Sequence, residues 1–171
     1  MPDFLNSLPN VYYILSEITG SLTNFGIRLM SFIAVLVVLV HGVLILFIMS
    51  CFHAFNARYG SYRNKKVDGL VYFIVVLLIL FSHLIDIFIW TYAMVSVEVY
   101  PSVLNTFYFA GEMYTNLDHN DPRYVLGPQW RMLPLLISFS GLFAIAISGA
   151  ALYSLLICTF SDPTKNDVQN S

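Results

Sequence analysis

From Leu29 to Ala57 the sequence holds no Asp, Glu, Lys or Arg; from Gly69 to Val97 it holds only Asp86, and from Met132 to Ser161 again none. A helix needs roughly 20 apolar residues to cross the hydrocarbon core of a bilayer, and each stretch supplies them with room to tilt. A soluble fold of 171 residues has no interior for three such runs, and only 11% of this chain is charged while 58% is hydrophobic. The fold class expected is all-α integral membrane, with three transmembrane helices. By composition the chain divides into 1–27, 28–57 as the first span, a basic loop at 58–68, a membrane unit at 69–160 and a tail at 161–171. The N-terminus, MPDFLNSLPN, shows an acid and a proline where a secretory signal would show basic residues and then an apolar core, so no cleaved signal is expected.

Basic residues set the expected orientation, because short cytoplasmic loops retain Lys and Arg. The loop FNARYGSYRNKKVD carries Arg58, Arg63, Lys65 and Lys66, whereas residues 1–27 have neither Lys nor Arg. That puts the loop and the C-terminal tail inside, and the N-terminus and the 97–131 segment outside, although Arg28, Arg123 and Arg131 then fall on the outer side. Cys51 and Cys158 lie near the cytoplasmic ends of their spans, where thiols stay reduced, and no disulfide is expected. A net charge of −2 and one small basic cluster argue against nucleic acid as a partner; the lipid bilayer is the partner the composition demands.

Ahead of the first span, Leu5, Leu8, Val11, Leu15, Ile18, Leu22 and Phe25 recur every three or four residues, which predicts an N-terminal amphipathic helix lying on the outer face. In the second span His83 and Asp86, at i and i+3, share one helix face and should point into protein rather than lipid. Beyond it, Pro101 suits the first turn of a short helix from about Ser102 to Tyr114, too short to span. A polar island, MYTNLDHNDPRYVLGPQW, follows. Irregular polar backbone is tolerated at membrane depth only when protein covers it or water lines it, so this segment is either re-entrant or lies outside the lipid. The third span carries Gly141 and Gly149 among Ser138, Ser148, Ala150 and Ala151, residues that permit close helix packing or bending.

Span, short helix, polar loop and small-residue-rich span follow in the order of a potassium-channel pore domain. From about Val76 to Leu156 the chain resembles small bacterial members of the two-transmembrane ion-channel family, in HLIDIFIW, FYFAGEMYTNLDHND, GPQWRMLPLLISFSGL and ISGAALYSLL. The resemblance implies a re-entrant pore-type helix, a homotetramer in the bacterial inner membrane and a filter at Thr115, Asn116, Leu117, Asp118, His119, Asn120 and Asp121. The family's filter reads close to T-T-L-G-Y-G-D, and here both glycines are replaced. Glycines let a filter backbone aim its carbonyls at the ion; without them Asp118 would form a ring of four carboxylates, selecting cations by charge. Glu112 matches the pore-helix acid that braces the aspartate after the filter, here Asp121. The same family pattern has a histidine and an acid in its outer helix, which assigns His83 and Asp86 to bracing the pore helix.

Alternatives stay open at this stage. Asp118, His119 and Asp121 read as a cation constriction or an exposed loop without chemistry, and behind these two as a metal site; the chain as a whole reads as a conducting tetramer or a non-conducting channel-fold subunit that scaffolds a heterologous membrane partner or binds a metal ion at its outer face. A proton relay through His83, Asp86 and Glu112 is a third reading. His41 and His53 read as packing or boundary residues. The sequence shows no phosphate-cradling glycine loop, no nucleophile-base motif and no zinc-protease histidine spacing; no enzyme is expected, and no cofactor beyond a monovalent or divalent cation at the loop.

Overall fold

The computed structural model of the protein describes residues 10–59, 65–117 and 125–160, and every regular element among them is helical. Asn10 opens α1 (Val11–Leu22) by accepting the Tyr12 amide at 2.9 Å, one of the donors that a helix start leaves unsatisfied. The chain breaks at Thr23, and the Asn24 side chain takes the Gly26 amide at 2.9 Å to begin α2 (Phe25–Tyr59). There follow α3 (Lys65–Ser96), α4 (Val103–Tyr114), a 3-10 turn at Pro128–Trp130 and α5 (Leu133–Phe160).

The three long helices α2, α3 and α5 carry the three windows apolar enough to cross a membrane. At about 1.5 Å of rise per residue the 35 residues of α2 measure roughly 50 Å, beyond the ~30 Å hydrocarbon core, so the helix tilts or its ends stand among headgroups. Helical backbone outruns the expected boundaries on both sides of the basic loop, to Tyr59 and from Lys65, since Arg and Lys are good helix formers. At α4 the start differs from expectation. Ser102 caps the helix, accepting the Asn105 amide at 3.4 Å while its carbonyl takes the Thr106 amide and hydroxyl, so Pro101 stands before the cap rather than in the first turn. Val11, Leu15 and Ile18 on the apolar side of α1 are exposed; Leu5 and Leu8 lie outside the described residues.

The spans pack as a bundle, with α4 held between α3 and α5. Along α5 the buried side chains are Leu133, Ile137, Ser140, Ala144, Ser148, Ala151 and Leu155, in steps of three or four that put one seam against the neighbouring helices. On α2 the seam is Met30, Val37, His41, Ile45 and Phe52. Two apolar clusters result. One gathers Met30, Val37, Trp90, Met94, Phe109, Tyr114, Leu133 and Ile137; the other gathers Ile45, Phe52, Val75, Ile79, Ala151 and Leu155. Polar residues fill the level between them.

Both α3 and α4 end in the same six-residue cap. In each, the residue two past the last helical one takes a left-handed backbone: Glu98 at φ 54° and Asn116 at φ 56°. The Val99 and Leu117 amides then reach back to the Met94 and Glu112 carbonyls, at 3.1 and 2.9 Å. Asn tolerates that conformation better than most residues, whereas Glu is strained in it.

Candidate functional site

The level between the apolar clusters is built by four helices. α2 supplies His41, α3 supplies His83 and Asp86 from one face, α4 supplies Tyr114 at its last turn, and α5 supplies Ser148. His41 and Asp86 are fully buried, at 0% exposure each, while His83 is half-buried.

Tyr114 donates its phenolic proton to Asp86 Oδ2 at 2.6 Å. A phenol has one proton, so His83 Nδ1, 3.0 Å from the same oxygen, is the donor of that second bond. On the other side, His41 Nε2 lies 2.9 Å from Ser148 Oγ and its Nδ1 lies 2.6 Å from Asp86 Oδ2. That last contact is close but out of line for an N–H···O bond: among the described residues neither His41 Nδ1 nor Asp86 Oδ1 has a hydrogen-bond partner. The rings of His41 and His83 lie 4.7 Å apart between centroids, tilted by 38°.

The same layer fixes the end of α4. Ser138 donates to the Met113 carbonyl at 2.9 Å, and Gly141 is so close to the Tyr114 carbonyl that a Cβ there would overlap it. Gly141 therefore serves close approach, as the small-residue pattern allowed, while Gly149 is exposed with nothing within 4 Å of the place where a Cβ would stand. Thr115 turns its hydroxyl back to the Gly111 carbonyl at 2.8 Å, and Thr115, Asn116 and Leu117 are exposed. Asp118, His119, Asn120 and Asp121 lie outside the described residues. Glu112 is half-buried on α4, and its expected partner Asp121 is among the residues not described.

The sequence reading names His41 a packing or boundary residue; the structure buries it at the centre of the polar layer, against Asp86 and Ser148. Its signal was the four-residue spacing from Val37 to His41 to Ile45, masked because the lipid-facing positions of α2 are as apolar as the buried ones. His53, by contrast, is exposed and meets Phe52 edge-on at 5.7 Å.

Chemically the layer combines a carboxylate, two imidazoles, a phenol and a hydroxyl out of water. Such a set can hold a positive charge, as a proton or a metal ion; His41, His83 and Asp86 each offer one ligand atom, all within 4.8 Å of one another. No protein-family profile, curated protein or solved structure matches the chain, so what it does has to be argued from this geometry.

Proposed function

We propose that the chain is the pore-forming subunit of a cation channel: a homotetramer in the bacterial inner membrane, N-terminus outside and C-terminus cytoplasmic, whose path is selected by side chains of the Thr115–Asp121 loop rather than by a potassium-type carbonyl filter. The observation that carries this reading is the seat of Tyr114. Counting about 1.5 Å per residue, Gly141 lies about 12 Å from the start of α5 and Asp86 about 15 Å from the end of α3, and Tyr114 touches both. A short helix that stops partway along its two long neighbours supports a re-entrant element, whose following polar backbone needs protein or water around it. Thr115, Asn116 and Leu117 are exposed on the single chain, which favours neighbouring copies around a wet axis. The carbonyl end of α4 carries the negative pole of the helix dipole, and with the carboxylates of Asp118 and Asp121 it favours a cation. α1 then rests on the outer surface with Val11, Leu15 and Ile18 in the interfacial layer.

A second reading rests on Thr115 and Asn116. Their turn closes α4 with a hydroxyl and two amides bonded back to the helix, a cap rather than an extended row of carbonyls. That favours a non-conducting subunit that keeps the same scaffold for a heterologous membrane partner. Cation flux into liposomes separates the two, measured beside Asp118→Ala/Asp121→Ala with oligomer mass on the same sample. Tetramers whose flux falls or loses selectivity in the double variant support the channel. Folded protein that passes no cation refutes it and leaves the scaffold.

A further inference from the structure

We infer that His41, His83 and Asp86 form a binding site for one divalent transition-metal ion of the Zn2+ or Fe2+ kind, enclosed within the helix bundle. The site is independent of whether the chain conducts and takes no ligand from the 118–121 segment.

Two observations point to a cation shared by these side chains. First, Asp86 is fully buried, and a carboxylate out of water needs a compensating positive charge; Tyr114 gives it a hydrogen bond but no charge, and His41 beside it supplies one only when both its ring nitrogens hold protons. Second, the contact between His41 and Asp86 is not a hydrogen bond, although Nδ1 and Oδ2 are 2.6 Å apart. His41 Nδ1 and Asp86 Oδ1, both buried and both without a hydrogen-bond partner among the described residues, are the atoms that a metal would take. The rest of each side chain is already held: His41 Nε2 by Ser148 and Asp86 Oδ2 by Tyr114. An outer partner on the second ring nitrogen and another on the carboxylate are how metal ligands are aimed.

The dimensions suit a small ion. Bonds of about 2.0–2.1 Å in a tetrahedral site place ligand atoms ~3.4 Å apart, and one ligand atom from each of the three side chains already lies within 4.8 Å of the others. His83 is the one ligand of the three that is only half-buried, so it is the one with room to adjust around an ion. Two imidazoles and a carboxylate suit borderline divalent metals, whereas calcium and magnesium prefer all-oxygen shells and cuprous ion prefers sulfur; Cys51 and Cys158 are exposed and not part of the cluster.

The test is a titration of chelator-stripped, detergent-purified full-length protein with Co2+, followed by visible absorption and by bound metal per chain. One Co2+ per chain is expected, with the d–d absorption of a four-coordinate site made of two imidazole nitrogens, one carboxylate oxygen and one water, displaced by Zn2+. His83→Gln should weaken binding by roughly a hundredfold or more, because even outer partners of a metal cost about 10- to 100-fold. Asp118→Ala/Asp121→Ala should leave it unchanged. His83→Gln is the decisive variant, since its half-buried position spares the fold where His41→Gln disrupts it. The site is refuted if folded wild-type protein binds no Co2+ at micromolar concentration, or if His83→Gln binds it undiminished. Loss of binding in Asp118→Ala/Asp121→Ala alone also overturns it, by moving the metal to the loop.

Discussion

Replacing Gly141 with Ala puts a methyl group where the Tyr114 carbonyl already is, and the obstacle is backbone on both sides. No side-chain rotation relieves it; α4 has to move away from α5. Overpacking of this kind costs about 1–3 kcal/mol. The movement also strains the bond from Ser138 to the Met113 carbonyl, at 2.9 Å, and the bond from Tyr114 to Asp86, at 2.6 Å. A neutral hydrogen bond contributes about 1 kcal/mol and one to a charged group about 1.5–3 kcal/mol. Against this stands a gain of about 1 kcal/mol from removing a helical glycine. The net expectation is a loss of about 3 kcal/mol, the sum of those contributions with the bonds partly retained. Gly149→Ala is the internal control: nothing lies within 4 Å of the new methyl, so only the helix-propensity gain of about 1 kcal/mol remains. Unfolding in mixed micelles, followed by the fluorescence of the buried Trp90 and Trp130, measures both variants. The two should move in opposite directions. If Gly141→Ala unfolds within about 0.5 kcal/mol of wild type, the range of an ordinary surface change, the close seat of Tyr114 on α5 is wrong.

Tyr114→Phe removes the donor to Asp86 with little change of volume; a loss of about 1.5–3 kcal/mol in the same unfolding assay is expected. Asp86→Ala leaves His41 and His83 without their carboxylate and should cost more, about 3–5 kcal/mol, whereas equal losses for Asp86→Ala and Tyr114→Phe would mean that the phenol is its only important partner. Trp90 donates to Ser140 Oγ at 2.9 Å, and a double-mutant cycle of Trp90→Phe and Ser140→Ala should give a coupling of about 1 kcal/mol; zero coupling would dissolve that bond. Glu98→Gly relieves a left-handed backbone at the end of α3 and should stabilise by about 1 kcal/mol, with no gain counting against the φ of 54°.

The spans were legible because length and the absence of charge need no tertiary information. Asp86 was legible for the opposite reason, as a lone acid in a run that otherwise has none, with His83 one turn away on the same face. His41 and Ser148 were not. In a soluble helix the seam stands out against a polar face, but here the outward positions, such as Phe32, Val43, Phe47 and Leu142, are as apolar as the inward ones. Tyr114 was hidden differently. One tyrosine among 11 carries no mark that its hydroxyl reaches Asp86; that depends on how far α4 enters between α3 and α5. The turn at Asn116 lay within the compass of sequence reasoning, because Asn is one of the few side chains that accept positive φ, and the structure puts that φ there.

In lipid, helices gain little by burying apolar surface against one another, since the acyl chains are equally apolar. The two apolar clusters therefore say little about how far one span should slide along another. The polar layer decides it. A slip of one turn, about 5.4 Å, would carry Asp86 past His41 and Tyr114 and leave its carboxylate in hydrocarbon, at a cost of about 3 kcal/mol on the mildest insertion scale. Asp86 thus acts as a height mark for the bundle: α2 and α4 align to it at His41 and Tyr114, and α5 aligns to His41 through Ser148. A single acid that weakens the apolar character of α3 is what lets three otherwise slippery rods settle at one relative level.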